Sequence, residues 1–377
     1  MLYRIFMLLV MALVFGGNTA SAQTVINPLV SRRFTEYVMP PTEQTHELAR
    51  VPISSFVLLT QLSDSELVKI ELDPITEEPI ALQSFVMGKN SHSQLHGVWP
   101  SKVYPGLMWL SLQADNQLLL VDPGQDLSTA PSIVQTIDIP QPGNGPHCVT
   151  EIGNRYYVFS VDISNTTDWK LYQCLNSPVF ISEEPTTGLI YATQDNESSI
   201  MRINVTSDET AQLKVPPDVG SNAVGMTTAY GPLSGVWFTL AGNGTGGTGT
   251  FGHIGSSGEL EFFTLEQPLL GANAGLLHVA DASTPDGEPA LWLLSTSLLS
   301  PNSPDALIRV TFDADIKSVA GEEYISLPTQ NAKVHRILTL DATVLVSELN
   351  TFTVAQLKYN NTVAGKWPPA QSDIVYT

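Results

Sequence analysis

A strand pattern that recurs seven times constrains the fold of this chain more than any other feature. Each copy has a short apolar or aromatic strand that contains Ser or Thr, and another strand follows after a loop. The strand that contains Ser or Thr is the second strand of each copy. It reads VLLTQ (57–61), MWLSL (108–112), YVFSV (157–161), IYATQ (190–194), VWFTL (236–240), LWLLS (291–295) and VLVSE (344–348). The copies are roughly 45 to 60 residues apart, except for a shorter one around residues 147–179. Repeats of this length are typical of propeller blades, each a small antiparallel sheet that is stable only when stacked on its neighbours.

The repeat therefore predicts an all-β protein, a seven-bladed β-propeller, with six blades as the alternative count. A β-sandwich and a solenoid are the alternative folds. The copy around residues 147–179 shows no outer strand in the sequence. We expect the propeller to span residues 51–377, with the C-terminal segment 372–377 (SDIVYT) completing the first blade. Residues 23–50 contain two prolines in a row and little periodicity, so they are expected to form an N-terminal extension lying over the ring.

Residues 1–22 have the features of a secretory signal peptide. Arg4 precedes an apolar run of 11 residues (5–15), and Ala20-Ser21-Ala22 forms a small-residue cleavage site. The alternative is an uncleaved membrane anchor, but the run is too short to cross a bilayer. The sequence therefore predicts a secreted, extracellular protein.

Five N-x-[ST] sequons support secretion, because this triplet is the acceptor of N-linked glycans in secreted proteins. They predict a glycoprotein modified at Asn165, Asn196, Asn204, Asn243 and Asn360.

The charge balance excludes some partners. The chain has 17 basic and 37 acidic residues, a formal net charge of −20. Such a surface repels phosphate backbones and anionic membranes, so we expect neither nucleic acid nor a membrane as partner. A monomer is expected. Cys148 and Cys174 are the two cysteines, and the sequence leaves open whether they form a disulfide.

Histidines mark the expected ligand-binding face of the ring. In a blade, the start of the first strand and the end of the second meet at one mouth of the central channel, the usual ligand site of a closed ring. Aligned first strands place His96, His147 and His335 at the same position. Three equivalent histidines predict a site at this mouth, against the alternative of polar residues lining a wet channel. The sequence assigns His46 and His253 to the surface or to strands away from this site.

The sharpest local pair is His335 with Glu348. A two-residue turn at Asp341-Ala342 would place them directly opposite each other, with Cβ atoms about 5 Å apart. A carboxylate there can orient the imidazole, raise its basicity or share a metal with it. The alternative is a cross-strand ion pair at the surface, of little energetic weight.

The repeat resembles that of the virginiamycin B lyase (streptogramin lyase) family of propellers, and less specifically that of gluconolactonase-like propellers. The stretches that carry the resemblance are VWFT (236–239) with GHIG (252–255), and KVHRI (333–337) with VSE (346–348). The likeness covers most of the mature chain.

The resemblance implies a metal-dependent lyase, usually with Mg²⁺, that opens a cyclic depsipeptide or lactone by elimination of a C–O bond. It places the catalytic residues at His335, as the base, and Glu348. The metal ligands would be Glu348 with His96 and His147 from across the channel. The family's third residue, a histidine two positions after the glutamate, is Asn350 here.

Two functions follow from this sequence. One is a secreted lyase, or a lactonase-type hydrolase, acting on a small-molecule or peptide substrate at the channel mouth. The other is a non-catalytic extracellular propeller that binds a protein or glycan ligand, which the substitution at Asn350 favours. The sequence does not decide whether the chain is an enzyme.

Overall fold

The fold is built from β-strands throughout. A computed structural model of the chain describes residues 34–358, except 153–154, 159–160, 166–167, 177, 195, 245, 267–273 and 284–287. The predicted signal peptide (1–22), Asn360 and the C-terminal segment 372–377 lie outside the described residues. The described strands form seven four-stranded antiparallel sheets, each one blade of a propeller, so the predicted all-β propeller is confirmed.

The strands alternate with short turns, and their bounds follow in chain order. The first fourteen are β1 Phe34–Val38, β2 Thr45–Arg50, β3 Phe56–Gln61, β4 Glu66–Leu72, β5 Pro79–Val86, β6 Leu95–Pro100, β7 Met108–Leu112, β8 Gln117–Asp122, β9 Ser132–Asp138, β10 Val149–Ile152, β11 Arg155–Val158, β12 Val161–Asn165, β13 Asp168–Leu171 and β14 Pro178–Glu183. The others are β15 Ile190–Gln194, β16 Ser199–Asn204, β17 Glu209–Lys214, β18 Ala223–Ala229, β19 Gly235–Leu240, β20 Thr250–Ile254, β21 Leu260–Thr264, β22 Leu276–Asp281, β23 Ala290–Ser295, β24 Ala306–Phe312, β25 Val319–Ser326, β26 Val334–Thr339, β27 Thr343–Glu348 and β28 Thr353–Lys358. A single 3₁₀ turn at Gly231–Leu233 is the one helical segment in the described part, where no helix is long and apolar enough to cross a membrane.

Six sheets use four consecutive strands each. We number them sheet 1 (β2–β5), sheet 2 (β6–β9), sheet 3 (β10–β13), sheet 4 (β14–β17), sheet 5 (β18–β21) and sheet 6 (β22–β25). Sheet 7 has the order β26, β27, β28, β1. The first strands, β2, β6, β10, β14, β18, β22 and β26, contact one another in sequence, and β26 contacts β2, which closes the ring.

The core lies between neighbouring sheets. Second strands such as β19 and β23 are buried along their whole length, whereas the outer strand β5 is mostly exposed. Trp109, Trp237 and Trp292 are the largest fully buried side chains. Burying apolar faces between stacked sheets is the main stabilising term in such a ring, at roughly 25 cal/mol per Å² removed from water.

The ring is closed by an N-terminal strand, which corrects the predicted domain bounds. β1 pairs with β28, with Phe34 opposite Leu357, and forms the outer strand of sheet 7. β2 is the first strand of sheet 1, the place expected for residues 372–377. Residues 34–50 therefore belong to the propeller and are not an extension over it. The sequence obscured this because a two-strand segment carries no repeat of its own.

Sheet 3 has an outer strand, contrary to the prediction. Its four strands are only four or five residues long. Residues 161–165 form the third strand, and 168–171 form the outer strand that the sequence assigned as third. Cys148 precedes the first strand of this sheet and Cys174 follows its outer strand, and no disulfide joins them.

Candidate functional site

The first strands carry a β-bulge at the channel. In sheet 7, Val334 pairs with Glu348 but Arg336 pairs with Ser347, so His335 is an extra residue. The same one-residue shift occurs in β2, β6, β14, β18 and β22. A bulge bends a strand and re-aims the side chain of the extra residue, and bulges are frequent next to functional sites.

A hydroxyl on the second strand holds each of five bulges. Thr60 Oγ1 accepts a hydrogen bond from Glu47 N at 3.0 Å and donates to His96 O of the next sheet at 2.7 Å. Ser111, Thr193 and Ser347 make the same two bonds, and Thr239 makes the first of them. The Ser or Thr of the repeat thus links neighbouring sheets through backbone atoms.

Four histidines meet where these bulges face the channel. The positions equivalent to His335 are His46, His96, His147, Val179, Val224 and Leu277. Ring centroids are 3.8 Å apart for His335 and His46, 3.9 Å for His46 and His96, and 4.0 Å for His96 and His147. The structure brings the three predicted histidines together and adds His46, which the sequence assignment to an extension had hidden.

These imidazoles are neutral at neutral pH. Burial lowers the pKa of His46, His96 and His335 well below the usual value of 6.5, and neighbouring histidines and Arg336 lower it further. The pKa of His147 falls to about 3, through burial and Arg336. Desolvation penalises the charged form of a group, so this cluster accepts protons poorly.

An ion pair and an aromatic ring block the channel beside the histidines. Arg336 Nε donates to Glu47 Oε2 at 2.8 Å, and both side chains are buried. The guanidinium also lies 4.4 Å from the ring centroid of Phe180. Burial raises the pKa of Glu47, and Arg336 opposes that rise.

Arg336 also lies against His335. Its Nη1 is 3.4 Å from His335 Nε2 and donates to His335 O at 3.0 Å. Burial, and next the positive charge of Arg336, lower the pKa of His335 well below 6.5. This environment disfavours the predicted role of His335 as a base.

Glu348 is not part of the channel cluster, and the predicted opposition of His335 and Glu348 is wrong. The two-residue turn is as predicted, with Leu340 N bonded to Thr343 O, but the bulge shifts the register by one residue. Glu348 Oε2 instead accepts hydrogen bonds from the hydroxyls of Thr351 (2.7 Å) and Thr353. Burial raises its pKa to about 7.

The residues equivalent to Glu348 show what this position does. Gln61 donates to the carbonyl oxygens of Pro40 and Thr42, and Gln194 Nε2 donates to Gln212 Oε1. All three side chains anchor neighbouring loops and strands. Asn350, at the family's third position, is exposed and bonds Asn331 O through its side-chain amide.

The predicted Mg²⁺ site does not fit the described residues. No group of three or more His, Cys, Asp or Glu side chains among them could hold a metal ion. Two imidazoles on one metal, with metal–nitrogen bonds near 2 Å, have ring centroids roughly 4.5 Å or more apart. The neighbouring rings here are closer and tilted against each other, which is the geometry of packing.

The channel has a cavity at each end. The first, which we call the imidazole mouth, has a volume of about 460 Å³ and lies at the starts of the first strands. It is lined by Gln113, Gly143, Asn144, Gly145, His147, Pro178, Val179, Val224, Leu277, Leu299 and His335. Polar amides and neutral imidazoles therefore face an apolar wall, and no charged side chain of the described ranges lines this cavity.

The second cavity, which we call the hydroxyl mouth, has a volume of about 400 Å³ and lies at the far ends of the first strands. Trp99, Thr150, Ser182, Thr227, Thr228, Tyr230 and Lys102 are among its lining residues. His278 also lines it, with Nδ1 accepting from Ile337 N at 3.3 Å. Glu47 reaches this cavity from the blocked channel.

Other predicted positions lie away from both mouths. The sequon residues Asn196 and Asn243 are exposed, and Asn204 is half-buried, with Oδ1 accepting from Thr206 N and Ser207 N. The side chain of Asn165 lies outside the described part. His253 bonds Glu261 and Ser234 O on the strand β20.

Comparison with known proteins supports the fold. No family model and no curated protein sequence matches the chain. Among solved structures, virginiamycin B lyase from Staphylococcus aureus is similar, with a TM-score of 0.66, 18% identity, and coverage of 87% of this chain and 99% of that one. A catalytically inactive variant of the same lyase, with quinupristin, has a TM-score of 0.64, also at 18% identity with the same coverage.

A protein that binds a peptide is similar to nearly the same degree. YCF48 bound to D1 peptide has a TM-score of 0.58 and 12% identity, and covers 87% of this chain and 96% of its own. At these identities the likeness extends to the fold alone. The fold and the sequence repeat define the class of the chain, a β-propeller.

Proposed function

We propose that this chain is a secreted propeller that binds an uncharged small molecule or peptide in the imidazole mouth without converting it. One observation carries the proposal: among the described residues, the lining is half apolar and half amide or neutral imidazole, and none of them is charged. A charged ligand would lose its hydration there without gaining a partner charge. An uncharged ligand with peptide or ester groups could bury its apolar surface and bond the polar half. Secretion rests on the N-terminal segment 1–22 and on the five N-x-[ST] sequons.

The polar half of this mouth suits carbonyl and amide groups. Gln113 and Asn144 each have an amide that both donates and accepts. The imidazoles of His147 and His335 stay neutral because of their lowered pKa values. Val179, Val224 and Leu277 form the apolar side, at bulge positions equivalent to the histidines. The two halves thus come from opposite arcs of one ring of equivalent residues.

Elimination in a cyclic depsipeptide is the second candidate, favoured by the fold shared with two lyase structures and by the place of His335 in the cavity lining. Against it stand the lowered pKa of His335, the hydrogen bonds of Glu348 to Thr351 and Thr353 outside the channel cluster, and the poor fit of a metal. The base would have to act without the carboxylate that the family resemblance implies.

The two candidates are separated by incubating the protein with quinupristin and with a panel of neutral cyclic peptides and lactones. Calorimetry measures binding, and mass spectrometry with chromatography measures conversion. Binding with recovery of intact ligand supports the first candidate. A ring-opened product of unchanged mass supports elimination, and a gain of one water indicates hydrolysis. Absence of binding across the panel would contradict the proposal.

A paired substitution tests the location. Val179→Asp places a charge in the apolar half of the imidazole mouth, and we expect at least a 100-fold loss of affinity. Val134→Asp is the control, because Val134 is 56% exposed on the outer strand β9. Equal affinities of the two variants would show that the ligand binds elsewhere.

A further inference from the structure

We propose that the hydroxyl mouth is a second, separate binding site, and that it takes a neutral saccharide of one or two rings. An arc of equivalent residues lies at this end of the channel. The proposed site does not depend on the function of the imidazole mouth.

The arc comes from one position of the repeat. This position lies three residues after the bulge position of each first strand. On the second strand its partner lies two residues before the position whose Ser or Thr hydroxyl holds the bulge in five of the sheets. In sheets 2 to 5 the pairs are Trp99 with Trp109, Thr150 with Tyr157, Ser182 with Tyr191 and Thr227 with Trp237. Four consecutive sheets therefore place one aromatic ring and three hydroxyls at the same depth, and all four line the cavity.

The other side of the ring is different. The equivalent residues of sheets 6, 7 and 1 are Ala280, Leu338 and Ala49, which bring neither a hydroxyl nor an aromatic ring. None of them lines the cavity. The polar arc is thus confined to one side, as expected for a site that binds a ligand in one orientation.

The rim of the cavity extends the arc at both ends. Lys102 follows the first strand of sheet 2, and Tyr230 follows that of sheet 5. Tyr230 is 65% exposed, a large aromatic face open to solvent. Its phenol and the ammonium of Lys102 add donors at the entrance.

This combination matches the chemistry of sugars. A pyranose ring has an apolar face of C–H groups that packs on an aromatic ring, and its hydroxyls both donate and accept, as those of Ser and Thr do. Glu47, the carboxylate that reaches the cavity floor, is neutralised by Arg336 at 2.8 Å. The volume of about 400 Å³ is at the small end of ligand pockets, which fits one or two rings.

The test is a panel of soluble neutral mono- and disaccharides, titrated against the full chain and followed by tryptophan fluorescence and calorimetry. Thr227→Val removes one hydroxyl and keeps the side-chain shape, and we expect a threefold to tenfold loss of affinity. Tyr230→Ala should cost about tenfold, because it removes the exposed ring. Both variants should keep the thermal midpoint of the parent chain within a few degrees.

Thr339→Val is the matched control, since Thr339 is also a first-strand threonine but lines neither mouth. Unchanged affinity in this variant, with loss in Thr227→Val, supports the site. Failure of every sugar in the panel to bind, or equal affinity of the Thr227 and Thr339 variants, would overturn it. Saccharide binding that is lost in Val179→Asp but kept in Thr227→Val would also overturn it, because the sugar would then occupy the imidazole mouth.

Discussion

The two mouths of the channel are built from the same seven first strands, yet they differ in chemistry. At the imidazole mouth the lining combines neutral rings and amides with an apolar wall. At the hydroxyl mouth it combines three aromatic rings with Ser and Thr hydroxyls, a lysine and a glutamate. Only a few residues separate the two sets along each strand. The comparison shows that one repeat can present two unrelated surfaces, because each strand contributes a different residue at each depth.

The largest expected effect concerns the buried ion pair of Glu47 and Arg336 in the channel. Arg336→Met leaves Glu47 buried without its partner, which should lower the free energy of unfolding by about 3–5 kcal/mol. The double variant Glu47→Leu with Arg336→Met should recover most of that loss, because neither charge then remains buried. Urea denaturation measures both. If Arg336→Met were as stable as the parent, the ion pair would make no contribution to the free energy of unfolding.

A crossed experiment tests whether the mouths are independent. Val179→Asp should reduce binding of a neutral cyclic peptide in the imidazole mouth at least 100-fold and leave saccharide binding unchanged, since the two cavities share no lining residue. Thr227→Val should reduce saccharide binding threefold to tenfold and leave binding in the imidazole mouth unchanged. Calorimetry with each ligand, alone and in the presence of the other, measures this. Loss of both ligands in either variant would mean that the two cavities form one site.

Acid should affect the imidazole mouth first. The histidines of the channel have a lower pKa in the folded state than in the unfolded state, so the unfolded chain binds more protons below pH 6.5. Their contribution to stability is complete above that value and is lost progressively as the pH falls towards the folded value, about 3 for His147.

The variant His96→Gln should therefore show a smaller loss of stability than the parent between pH 6.5 and 4.5. His92→Gln is the control, because His92 is exposed. Thermal melts across this range measure the slopes. Parallel slopes for all three proteins would contradict a buried neutral His96.

The smallest effect concerns Glu348, which belongs to neither mouth. Its pKa is raised to about 7, above the unfolded value of 4.5. The contribution of Glu348 to the free energy of unfolding is therefore most favourable at low pH and is lost as the pH rises through 7. Glu348→Gln should raise the free energy of unfolding by about 1–3 kcal/mol at pH 8 and by much less at pH 4.5. Binding of a neutral cyclic peptide in the imidazole mouth should not change. A loss of binding would mean that Glu348 contributes to ligand binding in the imidazole mouth.

The repeat made the propeller predictable, because Ser- or Thr-bearing second strands such as VLLTQ and VWFTL recur with little change. It also placed His96, His147 and His335 at one depth. The bulge was not predictable, because first strands such as β26 are buried on both faces around it and show no alternation that an extra residue could break. It shifted the position of Glu348 by one residue relative to the prediction. His46 was missed although Thr-His-Glu-Leu at 45–48 resembles Val-His-Arg-Ile at 334–337, because the strand precedes the first recognisable repeat.

The hydroxyl bridges between sheets have a consequence for how such a ring evolves. Thr60, Ser111, Thr193 and Ser347 hold each bulge through its backbone N–H and the next sheet's carbonyl, so the side chain of the bulge residue is not needed for assembly. Positions such as Val224 can then change type without loss of the ring. The ligand specificity of the channel can therefore change by substitution in one sheet at a time, while the architecture of the ring stays the same.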